Sequence, residues 1–320
     1  MPLPDPKPIT LQSRIPNDAA GKDLLTFLCQ RFRYHTRERW QQEIDDGRIA
    51  LDDTPATGSE VLRRGMRLSY EKEHREPRVA TDFRVLHQDD ALLTVAKPSH
   101  LPMHADGPFI RNTLISMLRE QHGDDLHLAH RLDRETSGIC VVARTKDALK
   151  AMHEQFQNGL VRKVYVAVVH GHLSEPVTCD RPIGHKANAT VQIRRSAADD
   201  ALNPKSACTR FEPIQHGGTT APKTLVRCMP ETGRTHQIRV HLEHLGHAIV
   251  GDKLYGHPDD HYLDFVARMK AGASVFEDTA DAPNRQLLHA HQIYLRHPTT
   301  ETEACFEAPI PEEFDRWLLS

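Results

Sequence analysis

Apolar residues recur at helical spacing over Leu24, Leu25, Phe27, Leu28 and Phe32, just after Gly21, and predict an amphipathic helix. Thr36 reads as the N-cap of a second helix that places Trp40 and Ile44 on one face and stops at Gly47. Ile49 and Leu51 alternate as in a short strand, and Val61, Leu62, Met66, Leu68 and Tyr70 can close a small sheet. Ahead of this unit, residues 1–10 carry four prolines and predict a flexible tail. Behind it, Glu71–Pro77 (EKEHREP) is charged, lacks periodicity and ends in proline, as a linker does.

From Phe83 onward strand signals dominate. Val85-Leu86 and Leu92–Val95 flank the turn residues Asp89-Asp90, and Ile139–Ala143 and Val164–Val169 are β-rich runs. Thr113–Leu118 and Ala148–Phe156 carry helical spacing between them, so the expectation is an α+β fold around a mixed, mainly antiparallel sheet. The segment His257–Pro283 shows no clear period and predicts no element. The division expected is a tail over 1–10, a small N-terminal α/β domain over 11–72, a linker over 73–80 and a large domain over 81–320.

Composition narrows this picture. A chain of 320 residues exceeds the usual span of one core and fits a large domain plus a small one. No run approaches the ~18 apolar residues of a spanning helix, and MPLPDPKPIT has no apolar signal core, which predicts a cytoplasmic protein without membrane contact. Six scattered cysteines without a C-x-x-C pair argue against a zinc ribbon and a disulfide framework, and read as reduced thiols. A net charge of −3 leaves nucleic-acid affinity to local clusters. Arg31, Arg33, Arg37, Arg39 and Arg48 form such a cluster, with Glu38 the only acid between residues 28 and 39. Guanidinium groups bind phosphate oxygens bidentately, although a solvated helix face fits the same pattern.

Three segments carry candidate chemistry. His130-Arg131-Leu132-Asp133-Arg134-Glu135-Thr136-Ser137-Gly138 sets a carboxylate between two arginines, directly before an apolar strand. An opposing charge within a few ångströms lowers a carboxyl pKa by about 1–3 units, so Asp133 is expected to be ionised. A salt-bridged loop aspartate is the alternative reading. The second segment, Thr232-Gly233-Arg234-Thr235-His236-Gln237-Ile238-Arg239-Val240-His241, alternates in a way that as a strand puts Gln237, Arg239 and His241 on one face. It continues into Gly246-His247-Ala248-Ile249-Val250-Gly251-Asp252-Lys253-Leu254-Tyr255-Gly256. The third is the loop Lys97-Pro98-Ser99-His100-Leu101-Pro102-Met103-His104.

With these motifs the chain resembles the RluA family of RNA pseudouridine synthases from about residue 83 to the C-terminus, where RQLLHA (Arg285–Ala290) and Phe306–Pro311 also match. The resemblance implies the pseudouridine synthase fold, Asp133 as catalytic aspartate, Arg239 as its ion-pair partner and Tyr165 as active-site tyrosine. It implies further that Arg131 steers the space vacated by a flipped base, and that Leu132 and Ile238 wall the uracil pocket. Arg234, His236, Gln237, Lys97 and His104 are expected to contact substrate. The N-terminal unit resembles the small alpha-L RNA-binding domain of ribosomal small-subunit protein four, mainly in its element order and the turn Gly47-Arg48-Ile49. Two residues depart from the family pattern: His100 stands where glycine is usual, and Ala248 where proline is usual.

The chemistry so implied breaks the N1–C1′ bond of uridine and forms a C5–C1′ bond without net change in composition, so it requires no cofactor or metal. A single ionised carboxylate serves, by attack on C1′ or C6 or by taking a ribose proton. The nucleotide must leave its stack at a cost of a few kcal/mol. The expected partner is RNA, with large-subunit ribosomal RNA first and transfer RNA second, and the chain is expected to act as a monomer. A non-catalytic RNA-binding or ribosome-assembly protein on the same fold is the alternative. Other signals are weaker. His241, His244 and His247 lack accompanying cysteines or acids for a metal site and read as surface or phosphate-facing groups. Gly246–Gly251 has phosphate-loop spacing, but Asp252 stands where that loop needs lysine. Ser137 lacks a G-x-S-x-G context and reads as a turn residue.

Overall fold

The computed structural model describes residues 7–271, 273, 276–279 and 281–320. It divides into two compact units, one ending at Glu76 and the other running from Pro77 to Ser320.

The first unit comprises β1 (Lys7–Arg14), α1 (Leu24–Arg31), α2 (Arg37–Asp45), β2 (Ile49–Leu51), β3 (Thr54–Pro55) and β4 (Arg67–His74). Its sheet has the order β1-β4-β2-β3. Asp23 and Thr36 cap the two helices by accepting the Thr26 and Arg39 amides. Leu24, Leu28, Trp40, Ile44, Ile49 and Leu62 close the core. Two expectations are corrected here. Lys7–Thr10, assigned to the tail, and Glu71–His74, assigned to the linker, pair with each other as one end of the β1–β4 ladder. Backbone pairing makes a strand of a segment that charge and proline content alone mark as loose, and Pro8 is tolerated because β1 lies at the sheet edge.

The second unit begins with β5 (Arg84–Gln88), β6 (Leu92–Lys97), α3 (Leu114–His122), β7 (His127–Leu128), β8 (Ser137–Ala143), α4 (Lys146–Gln157) and β9 (Arg162–His170). Then come β10 (Val177–Cys179), β11 (Ile183–His185), β12 (Arg195–Ser196), β13 (Leu202–Lys205), β14 (Thr209–Gly217) and β15 (Lys223–Pro230). It ends with α5 (Gln237–His244), α6 (Asp259–Lys270), β16 (Leu288–Arg296), β17 (Glu303–Glu307) and α7 (Glu313–Leu319). The main sheet runs β10-β14-β15-β9-β16-β8-β6-β5, with β7 on β8 and β17 on β16, while β12-β11-β13 form a separate small sheet. Only the β16–β8 pair is parallel within the main sheet as described. At that junction Gly138 has φ 112°, and a Cβ on it would lie 2.2 Å from the Ala290 carbonyl oxygen, so no other residue fits.

Alternation along β8 explains its continuous burial. Ile139, Val141 and Ala143 pack with Ala148 and Met152 of α4 on one face, while Cys140 and Val142 pack with Leu114 and Leu118 of α3 on the other. A strand covered on both faces reads as one apolar run. Among the described residues no helix is long and apolar enough to cross a membrane.

Three further expectations are corrected. Gln237–His241 is helical, not a strand; six consecutive residues from Gln237 to Leu242 are buried, so the helix has no polar stripe to betray its period. Asp259–Lys270 forms α6 with no buried residue, which is why His257–Pro283 showed no apolar period. Ser137 opens β8 instead of sitting in a turn, and its buried hydroxyl lies 2.8 Å from His289 Nδ1.

Candidate active site

Asp133 sits on the loop between β7 and β8, and its backbone is fixed from beneath by donors that point at carbonyls. Lys97, only 1% exposed, donates from Nζ to the carbonyls of Pro98 (2.8 Å), Leu101 (2.9 Å) and Arg134 (3.1 Å). Arg285 donates to the Glu135 carbonyl, and Gln286 Nε2 to the Thr136 hydroxyl. His130 accepts the Val141 amide at its Nε2. Lys97 was expected to contact substrate; it is instead a buried strut whose pKa burial lowers to about 7. His104 is half-buried and does not line the cavity described below.

The charge of Asp133 is held by a residue distant in sequence. Arg239 Nη1 donates to Asp133 Oδ2 at 2.8 Å, while its Nε and Nη2 donate to both oxygens of Asp252 at 2.6 and 2.9 Å. Asp252 is fully buried and also accepts the Leu254 and Tyr255 amides. Burial works to raise the Asp133 pKa, but His236 and Arg239 outweigh it and bring the value to about 2. Burial likewise opposes the charge on Arg239, and Asp252 with Asp133 reverses that and raises its pKa. Of the arginines flanking Asp133 in sequence, Arg131 adds a smaller downward pull on that pKa. Arg131 is exposed, and Arg134 pairs with Glu135, lying near the rings of Phe109 and Phe265. Sequence reasoning missed Asp252; its only signal was its place after Gly251.

A cavity of about 780 Å³ opens above Asp133. Leu132, Ile238 and Tyr165 line it, and Tyr165 packs against the clusters of both other residues. Burial, reinforced by Asp133, raises the Tyr165 pKa, so its phenol keeps its proton at neutral pH. Arg131, Arg234, His236 and Arg239 also line the cavity, together with Lys163, a cation that sequence reasoning did not single out. Arg234 Nε donates to the Ser206 carbonyl. Gln237 touches the cavity, but its amide is spent: it accepts from the Thr232 hydroxyl and Arg234 amide and donates to Cys208 O and Thr209 Oγ1. It therefore shapes the loop and is corrected from a substrate contact to a scaffold residue.

His241 is corrected too: it is fully buried between Thr209 Oγ1 and the Arg181 carbonyl. His100 adopts φ 58°, the left-handed conformation glycine takes freely, so the loop keeps a glycine geometry despite the substitution. Its ring bonds Asn284 Oδ1 at 2.8 Å and lies 5.2 Å from the Phe276 ring. Ala248 accepts the His170 amide through its carbonyl, a group proline would also present. In the N-terminal unit, Arg31, Arg33, Arg37 and Arg39 are exposed and Arg48 is half-buried, while Arg39 and Arg48 also pair with the buried Glu43.

Comparison with known proteins adds an independent finding. A family model for RNA pseudouridylate synthases matches residues 91–244. The chain is 32% identical over 317 residues to ribosomal large subunit pseudouridine synthase D of Pseudomonas aeruginosa, covering 96% of this chain and 94% of that protein. It is 34% identical over 261 residues to RNA pseudouridine synthase 7 of Arabidopsis thaliana, covering 79% of this chain and 65%, just under two thirds, of that relative. Among solved structures, human RNA pseudouridylate synthase domain containing 1 aligns with a TM-score of 0.58 at 28% identity, over 76% of this chain and 89% of that one.

Two outcomes follow from the geometry. Arg239→Ala leaves Asp252 buried without its cation, and removing one partner of a buried pair costs about 3–5 kcal/mol; a urea midpoint equal to wild type would contradict this ion-pair network. Burial lowers the pKa values of His130, His236 and His289 to about 4, against an ordinary value of about 6.5. The unfolded chain then binds more protons between these values, so stability is full above pH 6.5 and declines as pH falls towards 4. Thermal melts at pH 7.5, 6 and 5 should show a falling midpoint, and a flat series would mean that these rings are not buried neutral.

Proposed function

This chain belongs to the RluA family of RNA pseudouridine synthases, and from that premise we propose that Asp133 is the carboxylate through which it isomerises uridine. The observation that carries the reading is a carboxylate paired to Arg239 at a cavity with apolar and aromatic walls. Uracil enters by extrusion from folded RNA; Tyr165, Leu132 and Ile238 offset the lost stacking, to which an aromatic contact contributes roughly 1–3 kcal/mol. Arg131, Lys163 and Arg234 at the cavity attract the phosphates of the flanking nucleotides. Tyr165, partly buried and protonated beside Asp133, contacts the base and Arg239 holds the carboxylate.

The RNA is large-subunit ribosomal RNA, with transfer RNA second. Supporting this is the relative named for the large ribosomal subunit, which this chain spans almost end to end, and an N-terminal unit displaying Arg31, Arg33 and Arg37. The enzyme acts as a monomer in the cytoplasm, and no step requires a redox or nucleotide cofactor.

Nucleotide-resolution pseudouridine mapping of RNA from cells with and without the gene should reveal sites present only with it. On that RNA, Asp133→Asn should bind and melt like wild type, because Arg239 keeps Asp252, yet form no pseudouridine. Turnover by Asp133→Asn would remove the mechanism. Reversing Arg31, Arg33 and Arg37 to glutamate should weaken RNA binding at least ~10-fold at fixed salt, since each phosphate contact contributes to the electrostatic term; unchanged affinity would detach the N-terminal unit from RNA recognition.

A further inference from the structure

His236 occupies a position that the assignment of Asp133, Arg239 and Tyr165 leaves without a task. It precedes α5 with φ 58°, a backbone conformation that side-chain-bearing residues rarely adopt, and it makes no cap hydrogen bond there. That conformation aims its ring into the cavity, where Nε2 lies 3.9 Å from Asp133 Oδ2, too far for a hydrogen bond between them. Its other nitrogen, Nδ1, lies 2.8 Å from the hydroxyl of Tyr255, a side chain only 1% exposed.

The tautomer follows from counting donors. The Tyr255 oxygen accepts the Arg195 amide at 3.1 Å, and its own proton has His236 Nδ1 as its hydrogen-bond acceptor. A proton on Nδ1 would leave the buried Tyr255 hydroxyl hydrogen without an acceptor, which carries a desolvation penalty. Nδ1 therefore accepts, and the ring hydrogen is on Nε2, facing the space beside Asp133. Burial, against the pull of Asp133, lowers the imidazole pKa to about 4, so the ring is neutral at physiological pH.

We propose that His236 is a further catalytic residue, whose Nε2–H donates to the uracil oxygen beside the breaking N1–C1′ bond and stabilises the departing base as an anion. The proposal deepens the reading of Asp133 and rests on it. When N1–C1′ breaks, its electron pair goes to the uracil ring. The ribose is compensated by a pair from the Asp133 carboxylate, or from the C2′–H bond as Asp133 takes that proton. The base turns, C5 supplies the pair that forms C5–C1′, the Asp133 bond or proton is returned, C5 releases its proton and N1 gains one. A neutral N–H suits this sequence, because it stabilises the anion without protonating N1 and trapping free uracil. Tyr255 is the positioning residue that sets the tautomer.

The test uses single-turnover kinetics on the mapped target RNA, with uridine or 2-thiouridine at the target. His236→Leu should slow the chemical step ~100-fold, the scale of losing one preorganised donor, with RNA affinity little changed. His236→Gln, whose amide nitrogen reaches the place of Nε2, should recover most of the rate. Sulfur at the 2-position accepts poorly and should slow wild type but not His236→Leu. Wild-type rates in His236→Leu, or equal losses in both variants with the sulfur effect intact, would overturn the proposal. Should His236→Leu not fold, Tyr255→Phe decides: ~10-fold slower turnover at unchanged affinity supports it and wild-type turnover refutes it. If wild type itself forms no pseudouridine, the failure belongs to the assignment of Asp133.

Discussion

One guanidinium, Arg239, is shared between two carboxylates, and the site is built around that sharing. Asp252 takes the planar fork of the guanidinium through both oxygens, which orients the side chain, and the remaining Nη1 is presented to Asp133. The ring of Tyr255 lies under the guanidinium at 4.8 Å. Charges out of water are costly unless paired with good geometry, and a bidentate arginine–carboxylate pair supplies it. The result is an anion held ionised in a partly buried site, available to an electrophilic carbon or an acidic proton.

Around that ion pair the protein spends its buried donors on backbone carbonyls. Lys97 and Arg285 grip the carbonyls of Arg134 and Glu135, and Gln286 holds the Thr136 hydroxyl. The buried Glu135 pairs with Arg134 and Lys253. The residues on either side of Asp133 are thus committed elsewhere, so its carboxylate faces the cavity with a fixed backbone and one principal cation. Catalysis by preorganised charge requires such a frame, since reorganisation at the moment of reaction would consume the advantage. The parallel contact of β8 with β16 at Gly138 is part of the same frame, because it sets the strand onto which the Asp133 loop runs.

Legibility in the sequence varied with how local each cause is. Thr36 as a cap and the strands at Ile139–Ala143 and Val164–Val169 could be read, because capping and alternation are properties of neighbours in the chain. Gln237–His241 could not, since a helix buried on every side has no polar face to mark its turns. Lys97, Gln237 and His241 read as donors to a ligand but are consumed by the protein's own oxygens. Asp252 read as a residue that spoils a phosphate loop, whereas it is the anchor of Arg239. Arg39 and Arg48 read as phosphate contacts, with no sign in the chain that both also pair with the buried Glu43.

By itself the sequence determined the α+β class, the presence of a small unit ahead of a large one, and the carboxylate, arginine and tyrosine proposed here as the reacting group and its partners. The tertiary structure decided which polar group satisfies which: that Arg239 answers Asp252 as well as Asp133, that Lys97 serves a loop, and that Tyr255 sets the tautomer of His236. The physical reason is that hydrogen-bond capacity is finite and shared in space. A donor's chemical type is written in its residue, but whether it remains for a substrate depends on the acceptors that folding brings beside it.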